Sequence, residues 1–167
     1  MNRRALASAV ALAALVAAAA PAAQAPPVCE RATIVGGLIQ RGRLTAQEVE
    51  LGREPSVVRC RDLSRDGARD ALFAIASGGT AGNTNWGILL GRRDGGPERL
   101  ALYREGYKIA LAVTAGDPEV LQPVYRRDDP NCCPSSFEVR RYHWTGERFR
   151  LRSRQRTKTA PKRFRAS

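Results

Sequence analysis

From Ser56 onward the chain repeats one cadence: a short run rich in Val, Ile, Leu, Tyr and Phe, then a turn made of Gly, Asp or Pro. The runs cover residues 57–61, 71–77, 86–92, 99–104, 107–114, 119–126, 137–144 and 148–157. Between them stand Asp66-Gly67, Gly78-Gly79, Gly95-Gly96-Pro97, Glu105-Gly106, Gly116-Asp117-Pro118, segment 128–134 and Thr145-Gly146. Short β-rich runs bounded by residues that accept turn geometry read as strands. The predicted fold is mainly β, an antiparallel meander forming a sandwich or a curved sheet. Only short helical segments are expected before it. Residues 29–40 predict a short helix interrupted by Gly36 and Gly37, and Thr45 with Glu48 has capping-box spacing for a turn over 46–51. In 107–114, Tyr107, Ile109, Leu111 and Val113 alternate with Lys108, Ala110, Ala112 and Thr114, which predicts a half-buried strand. In 137–144 the parity of the apolar residues changes. A bulge near Arg140–Arg141 is therefore expected to bring Phe137, Val139, Tyr142 and Trp144 onto one face.

The first residues assign a compartment. Arg3 and Arg4 precede a run of Ala, Leu and Val over 6–20, and small residues follow around Pro21. This is the three-part pattern of a secretory signal peptide over residues 1–23. Cleavage is expected after Ala22 or Ala23, with Ala25 disfavoured by the proline that follows it. The apolar run is shorter than the roughly 20 residues that span a bilayer, and no second run follows, so no transmembrane anchor is expected in the mature chain. The expected product is secreted or extracytoplasmic, a bacterial cell-envelope protein. Residues 26–157 form one disulfide-stapled domain and 158–167 a basic disordered tail.

Export gives the four cysteines a meaning. An even count in an oxidising compartment predicts two disulfides among Cys29, Cys60, Cys132 and Cys133. On an extended backbone neighbouring side chains point to opposite faces. Cys132 and Cys133 are thus expected to reach separate partners, Cys29 and Cys60. The rival is a Cys132–Cys133 ring beside a separate Cys29–Cys60 bridge, and such a ring opens a redox reading. Zinc is disfavoured, because its sites use C-x₂₋₄-C pairs rather than adjacent thiolates.

The segment 62–70 places Asp62, Ser64, Asp66 and Asp70 at positions 1, 3, 5 and 9 of a loop, with Gly67 at position 6. Ca²⁺ needs several oxygens converging on one point, and glycine permits the sharp turn. The spacing resembles the metal loop of FG-GAP and VCBS-type β-repeats. That resemblance implies side-chain oxygens from Asp62, Ser64, Asp66 and Asp70 and a carbonyl from Ala68, with Ca²⁺ as the possible cofactor. The competing reading is a hairpin whose Asp side chains cap backbone N–H groups. In order along the chain, this loop, the segment 77–87, the D-P-N-C-C-P-S-S stretch 129–136 and Y-H-W-T-G-E-R-F at 142–149 resemble small secreted, largely actinobacterial proteins. More loosely, they are similar to the LppP/LprE lipoprotein type. The likeness implies a fold and a compartment, and no activity.

Charge is concentrated at the C-terminal end. The chain carries a formal +12, yet residues 26–147 hold 17 basic and 16 acidic groups, and no acid follows Glu147. Arg148, Arg150, Arg152, Arg154, Arg156 and Lys158 alternate with other residues, which predicts a basic row on one face of the last strand. Such a row attracts polyanions, and anionic envelope polymers are the expected partners. Nucleic acid is disfavoured by export and by the lack of interleaved aromatics. A solvated edge that blocks strand association is the plainer account. The glycine-rich segment 77–86 lacks the Gly-Lys-Ser/Thr of a phosphate loop and reads as a hairpin loop. His143 is the only histidine, and no nucleophile stands with a matching base, so the expected role is a non-catalytic binding or structural module.

Overall fold

The computed structural model describes residues 27–164. The signal peptide expected over 1–23 lies outside the described residues. Two short helices, α1 (Arg31–Gln40) and α2 (Ala46–Glu50), precede eight strands. These are β1 (Pro55–Arg61), β2 (Asp70–Ala76), β3 (Asn83–Gly91), β4 (Pro97–Glu105), β5 (Ala110–Thr114), β6 (Asp117–Val124), β7 (Ser136–Trp144) and β8 (Phe149–Thr157). They form two antiparallel four-stranded meanders in the orders β1-β2-β3-β4 and β5-β6-β7-β8. The mainly β expectation holds, and the architecture is a sandwich.

Period-two alternation explains the layering. On β2, Leu72 and Ala74 join Trp86, Ile88 and Leu90 of β3 in the core between the sheets, where they meet Leu111, Val120 and Phe149 of the second sheet. The alternate residues Ala71, Phe73 and Ile75 face the other way and are covered by Ile34 and Leu38 of α1. β2 is therefore apolar on both faces because both faces are buried. Gly87 of β3 is required by this packing: a Cβ there would stand 2.6 Å from the Phe73 ring and 2.7 Å from the Leu102 carbonyl oxygen. Helix α1 continues through Gly36 and Gly37, since burial of Ile34 and Leu38 on the sheet outweighs the glycine penalty of roughly 1 kcal/mol each. Thr45 and Glu48 make the anticipated capping box at the start of α2.

Three expectations are corrected. Residues 107–109 are not strand, and Lys108 has φ +49°. The face of β5 that carries Ala110 and Ala112 is not left to water but covered by the C-terminal segment. Phe137 and Val139 do not share a face with Tyr142 and Trp144. The first pair packs outward against Leu121 and Phe164, the second inward with the inter-sheet core. The irregularity lies in β8, where Arg141 pairs with Ser153 but Tyr142 with Leu151, leaving Arg152 as the extra residue. The tail expected to be free from residue 158 folds back through 164. A 3-10 turn at Lys162–Phe164 buries Phe164 to 5% exposure against Ala112, Leu121 and Val139.

Candidate anion-binding face

The Asp-rich loop joins β1 to β2 and is closed by its own backbone. Asp62 accepts hydrogen bonds from the N–H groups of Asp66 (3.2 Å) and Gly67 (3.1 Å), and Asp66 accepts from Ala68 N–H (2.8 Å). Asp70 is fully buried; one oxygen accepts from Leu63 and Ser64 N–H, the other from Gly91 N–H on β3, at 2.8–3.0 Å. Arg65 and Gly67 supply the left-handed turns, at φ +62° and +87°. The carboxylates of Asp62, Asp66 and Asp70 thus each accept amide hydrogens, and Ser64 Oγ is buried without a hydrogen-bond partner. Among the described residues no group of three or more His, Cys, Asp or Glu side chains is placed to hold a metal ion. The hydrogen bonds from the loop's own amides to Asp62 and Asp66 are those of the capped-hairpin account.

The cysteines pair in the rival pattern. Cys29, just before α1, bridges Cys60 of β1, with an S–S distance of 1.99 Å and Cα atoms 5.8 Å apart. Cys132 and Cys133 bond to each other. The expectation that they reach Cys29 and Cys60 failed because 128–135 is a loop, so the two-face rule of an extended strand does not apply. That loop is closed by Asp129, which accepts from Arg126 N–H (2.7 Å), Ser135 N–H (2.8 Å) and Ser135 Oγ–H (2.7 Å). The Arg126 amide, then the Ser135 hydroxyl, hold its carboxyl below the ordinary aspartate value. Beside the loop, Lys108 Nζ donates to Tyr125 Oη (3.2 Å) and to both oxygens of Asn131, and lies 5.2 and 5.7 Å from the Tyr107 and Tyr125 ring centres. Gly82, at the end of the glycine-rich loop, packs on Lys108, and Trp86 returns to the core. The two loops singled out by sequence therefore meet at Lys108, which the alternation of 107–114 places on the polar side of a strand.

The basic row of β8 is divided by the Arg152 bulge. Paired residues of an antiparallel ladder share a face. Arg150, opposite His143, lies on the outer face, whereas Arg154 and Arg156, opposite Arg140 and Glu138, lie on the inner face. Arg154 and Arg140 both bridge Glu138. Arg148, Arg150, Arg152, Arg154, Arg156 and Lys158 are thus not a single row.

A different set of arginines is gathered around Asp117 and Glu119, which lie two residues apart on one face of β6 and are 3% and 2% exposed. Asp117 receives Arg65 (3.4 Å) from the first sheet's loop and Arg152 (3.1 Å) from the β8 bulge. Glu119 receives Arg141 of β7 (2.8 and 2.9 Å), Arg163 of the C-terminal turn (2.5 Å) and the Thr114 hydroxyl (3.1 Å). Burial pushes the Glu119 carboxyl up, but hydrogen bonds from Arg163 and Arg141 and the Arg163 charge outweigh it, leaving it below the ordinary glutamate value. The four arginine side chains stay 30–65% exposed. Arg163 further lines a cavity of about 310 Å³ with Arg59 and Arg61 of β1. Four guanidiniums, from the β1–β2 loop, β7, β8 and the C-terminal turn, therefore engage two carboxylates on one face of β6, and two more share a cavity with Arg163. The sequence pattern alone makes Asp117 a turn residue and Glu119 the start of a strand. The available signal was two acids at alternate strand positions in a chain whose basic excess lies downstream.

No protein-family model, curated protein or solved structure matches this chain.

Proposed function

We propose that the protein is an exported, non-catalytic module that binds anionic polymers of the bacterial cell envelope, with the arginine face around Asp117 and Glu119 as its contact surface. One observation carries the reading: each buried carboxylate grips two arginines whose outer N–H groups remain in water. A guanidinium offers five donors in a planar fork, so a carboxylate can hold one edge while another edge meets a phosphate, sulfate or sugar acid. Held this way, the side chains lose less conformational freedom when a ligand arrives, which favours binding. The charge excess steers polyanions toward the face. The signal-peptide pattern, the Cys29–Cys60 bridge and the likeness to small secreted proteins support the extracytoplasmic setting.

The test is retention on immobilised heparin. Arg59→Gln/Arg61→Gln removes the two charges that share a cavity with Arg163, and Arg148→Gln/Arg150→Gln removes two at the start of β8. The reading predicts that the wild type is retained and that the first pair lowers the eluting salt more than the second. A wild type that flows through at about 50 mM salt, where electrostatic contacts are strong, overturns it.

A further inference from the structure

We propose that the Cys132–Cys133 ring is a reversible dithiol–disulfide site that exchanges with dithiol partners outside the cytoplasm, while the Cys29–Cys60 bridge holds the fold. The site is separate from the arginine face and does not depend on it. The two bridges differ in what they can do for stability. Cys29–Cys60 spans 31 residues and ties the segment before α1 to β1. Cys132–Cys133 joins neighbours that a peptide bond already holds together, so it removes little freedom from the unfolded chain. Nor is the ring needed to close its own loop. Asp129 fastens residue 126 to residue 135 through three hydrogen bonds at 2.7–2.8 Å. Asn131 accepts from the Tyr107 hydroxyl, the Tyr125 hydroxyl and Lys108 Nζ. As a staple the ring is redundant.

Access separates the bridges in the same direction. Cys132 and Cys133 are exposed, whereas Cys29 and Cys60 are partly buried and Cys29 Sγ lies 3.7 Å from the Asp70 carbonyl oxygen. Exchange begins when a thiolate reaches a disulfide sulfur, and exposed bridges are the labile ones. One thiolate of the partner dithiol attacks a ring sulfur. The Cys132–Cys133 bond breaks, a mixed disulfide forms, and the other sulfur leaves as a thiolate that takes up a proton. The partner's second thiolate then attacks the mixed disulfide and releases the first cysteine, which is protonated in turn. Two electrons and two protons have passed to the ring, and the partner leaves as a disulfide. An oxidised partner drives the same steps backwards. The anchors at Asp129 and Asn131 use no sulfur, so they persist after reduction and keep the two thiols side by side. Reclosure is then intramolecular between groups already in place.

Timed alkylation tests the assignment. The purified chain is incubated near neutral pH with dithiothreitol or with reduced thioredoxin, quenched with iodoacetamide at intervals, and peptide-mapped. Both dithiols are expected to reduce Cys132–Cys133 at least about tenfold faster than Cys29–Cys60. Reduction of the ring alone is expected to lower the melting temperature by less than about 5 °C, and oxidised dithiothreitol to reclose it. The Cys132→Ser/Cys133→Ser variant is expected to fold and to oxidise no thioredoxin over the same interval. Equal reduction rates for the two bridges, reduction by dithiothreitol but not by thioredoxin, or thioredoxin oxidation that persists in the double variant overturns the site. Unfolding on reduction of the ring alone makes the ring a staple and overturns it as well.

Discussion

Replacing Glu119 by Gln removes the charge that organises half of the arginine face. Glu119 accepts from Arg141, Arg163 and Thr114 and is 2% exposed. The amide keeps one acceptor oxygen but turns an NH₂ group toward a guanidinium, so one donor faces another. Removing one partner from a fully buried ion pair costs about 3–5 kcal/mol. Here Arg141 and Arg163 are 30% and 41% exposed, so water takes up part of the loss and about 2–3 kcal/mol remains. For a domain of this size that lowers the melting temperature by roughly 6–10 °C. The effect carries a pH signature. The folded pKa of Glu119 lies below its unfolded value, near 4.3, so its stabilisation is complete above that value and is lost as pH falls through the folded pKa. The gap between wild type and variant should therefore begin to narrow as pH falls below about 4. Calorimetry between pH 3 and 7 and trypsin cleavage at Arg163 read the two consequences, global and local. A loss under 2 °C at pH 7 with an unchanged cleavage rate would refute the reasoning.

Two further perturbations separate the staples from the loops. Cys29→Ser opens a bridge across 31 residues, and loop entropy assigns it about 3–4 kcal/mol; Cys132→Ser opens a ring between neighbours and should cost about 1 kcal/mol or less, as denaturant midpoints with unchanged m-values will show. Asp70→Asn should cost about 2–3 kcal/mol, because it leaves a buried amide group facing three N–H donors, and millimolar Ca²⁺ should leave the wild-type melting temperature unchanged, since the loop carboxylates are engaged by amides; a rise of several degrees that vanishes in Asp66→Ala would assign the loop to the metal.

The strands were legible because each carries its own period and its own turn residues. Residues 57–61 and 71–77, for example, needed no distant information to be read as β1 and β2. What failed depended on partners far away in the chain. Ala110 and Ala112 looked like a solvent face because the residue that covers them, Phe164, comes more than fifty positions later. The parity change in β7 was read as a bulge, yet it records a strand whose two ends bury opposite faces, and the extra residue is Arg152 on the neighbouring strand. The cysteines were numerous enough to predict two bridges, but the pairing turned on whether 132–133 is extended, which the prolines on either side prevent from being a simple strand. The arginines were visible as a count. Their grouping was not, because Asp117 collects partners 52 and 35 residues away.

Charge placed on one face sets the salt dependence of polymer binding, which can be measured directly. Fluorescence anisotropy of labelled heparin between about 50 and 300 mM NaCl gives the slope of log Kobs against log salt, which falls by somewhat under one unit for each lost ionic contact. Arg59→Gln/Arg61→Gln should reduce the wild-type slope by about 1.5. A slope that stays at the wild-type value in this variant, but falls in Arg148→Gln/Arg150→Gln, would contradict the account and return the contact to the β8 edge.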